Sequence, residues 1–425
     1  MRQLVRVWLC SSFAILGLAA AGIALAQQPL KIGIVTFLSG PAAGPFGVPA
    51  RNAAEVVIEN LNAGKLPAPY ATKGFGGASL EITFIDEAGP STKQVADFRN
   101  LAQRVDLVIG YISSGNCLAV APVAEELKKL TVFFDCGTPR IFEDANYKYV
   151  FRTQATATMD SVGAALYVTD RNPKTKAIAG INQNYAWGQD SWNDFEAAMK
   201  VLRPGIEVKT SQMPKLFAGQ FGAEISTLLA SNADFIHSSL WGGDLEAFVL
   251  QAAPRDLFKK STVVLTAGET AMFKLADKIP DGTVLGARGM HGVLAPASEL
   301  NKWFRAAYED RFQLPPVYPA YHMTQAILGT KAAYEKAQAA NGGKAPSQEQ
   351  IIAAFENLTF EAPSGKVQMA LGKGHQAVQG TAYGTTRLVK GHLTITDIKA
   401  YPPEKVNPPE GVKSEDWIKS GFKAK

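Results

Sequence analysis

Unbroken apolar runs alternate with helically spaced segments along most of this chain. Residues 30–37 (LKIGIVTF) form the first run, rich in branched side chains, and predict a strand buried on both faces. A glycine- and proline-rich turn at 39–47 follows, then helical spacing over 48–62. The next strand is predicted at 79–86 (SLEITFID), a helix at 92–103, and a short strand at 106–110 (DLVIG). The polar loop Ser113-Ser114-Gly115-Asn116 opens a helix over 117–130. A strand over 131–134 then ends in the small-residue loop Cys136-Gly137-Thr138. Strand alternating with helix is the mark of a parallel α/β sheet. The Gly/Pro-rich segment 64–78 reads as a surface loop.

A second series begins with a crossing segment at 149–153 (YVFRT). Strands are predicted at 177–182, 206–213, 233–240 and 261–267, with helices at 158–170, 191–201, 221–230 and 245–253. A return crossing at 283–290 leads to helices at 299–312, 320–340 and 347–358, then strands near 366–369 and 393–400. The proline- and charge-rich tail from 401 is expected to wrap the surface. The domain reading is a leader at 1–26, a first lobe of 27–149 with about 289–358, a second of 150–288 with about 359–400, and a tail at 401–425.

The leader reading rests on Arg2 and Arg6, the apolar run from Leu9 to Leu25, and a small-x-small site at Ala24-Leu25-Ala26. This is the pattern of a cleaved secretory signal peptide, so the mature chain is expected to be exported. The formal net charge of +5 falls to about +3 without the leader, too mild to imply nucleic acid or an anionic membrane as partner. Beyond the leader only Cys117 and Cys136 remain. In an oxidising compartment a disulfide between them is the simplest reading, with two free buried thiols as the alternative. Helix start and following strand end share one edge of a sheet, so bridging is geometrically reasonable.

Enzyme motifs are absent. There is no G-x-S-x-G elbow, no H-E-x-x-H and no phosphate loop. Five scattered histidines and two cysteines offer no metal spacing, so neither metal nor cofactor is expected. His237 lies inside a predicted strand and reads as a packed side chain. What the chain does carry is polar and aromatic residues at strand ends. These are Phe46, Ser113, Ser114, Cys136, Gly137 and Thr138 in the first series, and Tyr185, Trp187, Trp241 and Glu269 in the second. Ligands bind at the carboxyl edges of open parallel sheets. Hydroxyls and helix-start amides suit a carboxylate, tryptophan and phenylalanine walls suit an apolar or planar body, and Glu269 suits an ammonium or another donor.

The turn S-G-P-A-A-G-P-F-G at 39–47, the turn G-Y-I-S-S-G-N-C at 110–117, the V-F-R-T crossing at 150–153 and the N-Y-A-W-G turn at 184–188 occur in that order. With the leader, this set resembles the type I periplasmic solute-binding proteins of ABC importers, of the branched-chain amino-acid-binding group, over about residues 29–400. The resemblance implies two flavodoxin-like three-layer lobes joined by three hinge crossings, closing on a ligand by population shift without catalysis. It also implies a monomer that delivers a small carboxylate-bearing ligand to a permease in the inner membrane. Carried over residue by residue, it gives Ser114 the ligand carboxylate, shared with Thr138 and the backbone at Cys136 and Gly137. It sets Phe46 as an aromatic of the first turn and Glu269 as the acid for a ligand ammonium. Trp187 and Trp241 stand where amino-acid binders often have tyrosines, which makes an aromatic or planar acid credible beside an amino acid. Two rival readings remain: a sensor presenting its closed state to a receptor or regulator, and a hydrolase with Ser114 as nucleophile. The hydrolase would need a base, and no histidine lies near a strand end of the first lobe.

Overall fold

A computed structural model describes residues 28–423, so the predicted leader lies outside the described residues. The first lobe begins with β1 (Leu30–Thr36), β2 (Leu80–Asp86), β3 (Leu107–Gly110), β4 (Thr131–Phe133) and β5 (Val150–Arg152). The second begins with β6 (Ala177–Ile181), β7 (Glu207–Gln212), β8 (Phe235–Ser238), β9 (Thr262–Leu265) and β10 (Val284–Gly286). Both sets pair in parallel in the order second, first, third, fourth, fifth. That is the flavodoxin order, which leaves a crevice at the carboxyl ends where the first and third strands part. Central strands such as β3, β4 and β8 are buried throughout, which explains why they read as continuous apolar runs. The structure therefore has the expected class: two α/β lobes of the type I periplasmic binding protein fold.

The chain changes lobe after β5, after β10, and once more after β11 (Thr359–Ala362), β12 (Gly365–Leu371) and β13 (Gln376–Val378). This corrects the expected boundary near 359. The meander β11–β12–β13 extends the first sheet, with β13 beside β5, and the last crossing is at 379–380. Only β14 (Thr381–Val389) and β15 (His392–Tyr401) join the second sheet, where β14 runs antiparallel to β10. Hydroxyls and Gly384 break up the apolar pattern of β14, which hid this strand from the sequence reading, yet Ala382, Tyr383 and Thr386 are buried.

Two segments expected at the surface are packed instead. In the loop 64–78, Tyr70 and Phe75 are buried, and the carbonyl oxygens of Thr72 and Gly74 accept from the ammonium of Lys331. In the tail, the helix Ser414–Lys419 buries Trp417 and Ile418 in the second lobe's core against the helix Ala186–Leu202. A few large apolar side chains among charged neighbours suffice to dock such a segment, at roughly 1.5–3 kcal/mol for each one fully buried.

Cys117 and Cys136 form a disulfide, with Cα atoms 6.5 Å apart. It ties the start of the helix Ser114–Glu126 to the loop after β4. Replacing both cysteines with serine should cost about 3 kcal/mol of unfolding free energy in urea. An unchanged midpoint would show that the bridge does not stabilise the fold.

Candidate functional site

The lobes face each other across their carboxyl edges and are closed. The Gly243 N–H, in the second lobe, donates to the Pro41 carbonyl of the first at 2.9 Å. Phe37 of the first lobe packs edge-on against Phe217 and Trp241 of the second, at ring distances of 6.5 and 5.8 Å. Behind this seam lies a small cavity. It is lined by Phe46, Ile112, Ser114, Asp135, Gly137 and Tyr318 on the first-lobe side, Tyr185, Trp187 and Trp241 on the second, and Arg288 from the return crossing.

Local structure sets each of these groups. The π-helical turn Ala43–Gly47 turns Phe46 inward, where its ring meets Trp241 at 5.1 Å and Tyr318 at 5.5 Å. Ser113 caps the helix Ser114–Glu126 by position, and its N–H donates to Glu87. Glu87 also accepts from the Ile112 N–H and the Asn116 amide, so this acid braces the whole loop. Burial pushes the Glu87 carboxyl up to about 8, against these three donors. Ser114 Oγ accepts from the Gly137 and Thr138 N–H groups at 3.2 Å each, so its hydroxyl hydrogen remains to be given to a ligand.

Gly137 is required where it stands. A Cβ there would meet the Trp187 ring at 2.3 Å. Trp187 donates its indole N–H to the Ser239 carbonyl at 2.9 Å, which locks the ring over Gly137 and the Arg288 guanidinium. The indole N–H of Trp241 is buried and lacks a hydrogen-bond partner of good geometry among the described residues.

Arg288 is one of four cavity residues that the sequence reading missed, with Ile112, Asp135 and Tyr318. It is 3% exposed, on a crossing where Ala287, Arg288 and Gly289 all have positive φ. Its Nη1 donates to Asp160 at 3.0 Å in the second lobe, and its Nη2 to Asp135 at 2.8 Å in the first. Burial opposes the charge, but Asp160 and Asp135 outweigh it and hold the guanidinium pKa above its ordinary value. An isolated arginine in a crossing carries no motif, and its partners lie 128 and 153 residues away, so no local signal could have found it.

Of the residues expected at the ligand, Phe46, Ser114, Gly137, Tyr185, Trp187 and Trp241 line the cavity, whereas Ser113, Cys136, Thr138 and Glu269 do not. The Thr138 hydroxyl donates across the lobes to Asp190 at 2.6 Å, beside the Arg140–Asp190 ion pair. The Cys136 carbonyl is taken by Arg152 and Gln154. The Glu269 carboxylate accepts the first N–H of the long helix Tyr318–Ala340 at 2.9 Å and lies 3.5 Å from His291. A helix N-terminus attracts an acid strongly, and that draws this one away from the cavity. His237 is buried against Phe195, and burial drives its pKa down to about 3, as expected for a packed side chain.

The fold that positions this site is shared with known proteins. A family model described as periplasmic binding protein matches residues 29–390. No curated protein matches the chain by sequence. Among solved structures, the chain resembles a solute-binding protein of an ABC transporter from Rhodopseudomonas palustris BisB5 in complex with 3,4-dihydroxybenzoic acid. The TM-score is 0.75 at 22% identity, covering 88% of this chain and 98% of that one. A solute-binding protein from R. palustris in complex with benzoate gives a TM-score of 0.74 at 19% identity, covering 89% and 99%. A leucine-binding protein from Thermotoga maritima MSB8 gives 0.71 at 17%, covering 87% and 98%. At these identities the likeness carries the fold.

Gly137→Ala should force Trp187 off its seat and weaken binding of the protein's ligand by tenfold or more, through loss of close packing at the cavity. Calorimetric titration against the unchanged protein checks this. Equal affinities would mean that the Trp187–Gly137 contact does not shape the site.

Proposed function

The chain belongs to the periplasmic binding protein family, and on that premise we propose that it is the solute-binding component of an ABC importer, active in the periplasm. It traps a small aromatic carboxylate between its lobes and delivers it to a membrane permease. The observation that carries this reading is the cavity wall. Phe46, Tyr185, Trp187, Trp241 and Tyr318 line the cavity together with Ser114, while Glu269, the acid that the resemblance assigned to a ligand ammonium, is committed to a helix end. Flat rings fill a slot between aromatic walls, and stacked or edge-on aromatic pairs add about 0.5–1.5 kcal/mol each beyond area burial. The benzoate and dihydroxybenzoate bound by two of the structural relatives are molecules of this class.

The mechanism is a population shift. Ligand touches both lobes only in the closed state, so it favours closure by its difference in affinity for the two states. The closed form is then the one the permease recognises. No step requires bond chemistry.

Calorimetric titration of the mature protein with benzoate, 4-hydroxybenzoate, leucine and phenylalanine tests the reading. At least one aromatic acid without an amine should bind, and leucine should not. Binding of the amino acids alone would overturn the aromatic assignment and return the site to an amino-acid binder.

A further inference from the structure

One acid oxygen in the cavity is left unanswered. Asp135 is 3% exposed, and its Oδ1 accepts from Arg288 at 2.8 Å and lies 2.8 Å from His322 Nδ1. Its Oδ2 is buried with no partner among the described residues. Arg288 is committed elsewhere, to Asp160 and to the Asp135 carbonyl as well as Oδ1. A buried polar atom without a partner costs the full desolvation of that atom, so a group that arrives with the ligand and donates there gains affinity. The ligand carboxylate cannot be that group, because two carboxylates repel. Resting on the aromatic-acid reading above, we propose that the ligand carries a ring hydroxyl and that Asp135 Oδ2 accepts its hydrogen bond. Asp135 is then the residue that selects hydroxylated aromatic acids over plain ones.

The test compares benzoate with its 3-hydroxy, 4-hydroxy and 3,4-dihydroxy forms and with the methyl ether of the tightest binder, on the unaltered protein. A hydrogen bond to a charged acceptor predicts that at least one hydroxy acid binds on the order of 10- to 100-fold tighter than benzoate, and that its ether loses the gain. Asp135→Asn should narrow the same ratio. Benzoate binding as tightly as every hydroxy acid overturns this inference and leaves the aromatic-acid reading standing. Failure of all of these acids to bind overturns both.

An independent observation lies outside the cavity. Four oxygens run in line between the lobes: Asp194 Oδ2 to Thr158 Oγ1 at 2.6 Å, Thr158 Oγ1 to Ser414 Oγ at 2.7 Å, and Ser414 Oγ to Glu143 Oε1 at 2.5 Å. Three links need three hydrogens, and two hydroxyls supply two. The charges around the line leave the same gap. Arg140 pairs with Asp190, Lys200 with Glu196, Lys413 with Asp144 and Lys419 with Glu415, so among the described residues no cation forms an ion pair with Asp194 or Glu143. The charge of Arg152 also acts on Glu143, without an ion pair between them: its Nε and Nη1 donate to Gln376 and to the carbonyls of Cys136 and Thr138, and its Nη2 has no partner among the described residues. The geometry points to one proton shared by Asp194 and Glu143, holding the first lobe to the second through the C-terminal tail.

Burial raises both acids, Asp194 to about 8, with Asp190, Glu143 and Glu415 adding to the effect. A carboxyl raised on folding stabilises fully below its unfolded value, and that contribution is lost as pH rises through the folded value. Urea unfolding of the mature protein across pH 5–9 tests this against Asp194→Asn and Glu143→Gln, each of which puts an amide donor where the acid proton would be. Below about pH 8 the unaltered protein's unfolding constant should rise by up to tenfold per pH unit more than that of either variant. Equal slopes overturn the inference. So does the absence, in the unaltered protein at pH 7, of an infrared band from a protonated carboxylic acid.

Discussion

The buried guanidinium of Arg288 is the point on which the two lobes depend. A charge taken this far from water is tolerable only if it is paired and hydrogen-bonded on several sides. Here the partners come from different lobes: Asp135 follows β4 of the first, and Asp160 stands in the first turn of a helix of the second. The arginine itself sits on a crossing between them. Separating Asp135 from Asp160 would strand at least one charge, so the hinge has a strong preference built in at its centre. The same guanidinium lies 4.8 Å from the Trp187 ring and 5.7 Å from that of Tyr318, so the group that holds the lobes also forms part of the cavity. Cavity and hinge thus share one side chain.

Around this centre the closed state is built from contacts of modest individual strength. Thr138 and Arg140 reach Asp190, Glu269 reaches the helix Tyr318–Ala340, and the aromatic seam of Phe37, Phe217 and Trp241 covers the mouth. Glutamines tie the crossings together: Gln325 donates to the Thr153 carbonyl and pairs with Gln379, and Gln376 donates to the Gln154 carbonyl. Side-chain amides suit such a place, since each both donates and accepts and can exchange partners as the lobes rotate.

Much of this was legible in the sequence, and what was not has physical reasons. Buried parallel strands announce themselves as apolar runs, so β1, β3, β8 and β9 were plain, and with them the two-lobe class. Aromatic residues beside glycine just after a strand, as in Trp187-Gly188 and Trp241-Gly242, marked part of the cavity wall because strand ends face the crevice, whereas Tyr318, at the start of a helix, carried no such mark. Residues 359–378 were assigned to the wrong lobe because a strand's sequence shows its own burial but not which sheet receives it. Glu269 was read from its position after β9, yet a helix N-terminus far along the chain competes for it. Asp135 and Arg288 were missed because their meaning exists only across long sequence separations. Thr138 was placed at the right loop, but its hydroxyl serves lobe contact.

The most direct check of the account is a crystal structure of the mature protein grown with the aromatic acid that binds it most tightly. The account predicts the ligand carboxylate against the Ser114 hydroxyl and its ring between Trp187 and Trp241, with Glu269 still on the N-terminus of the helix Tyr318–Ala340. A ligand bound with its carboxylate elsewhere, or with Glu269 turned into the cavity to meet it, would contradict the account.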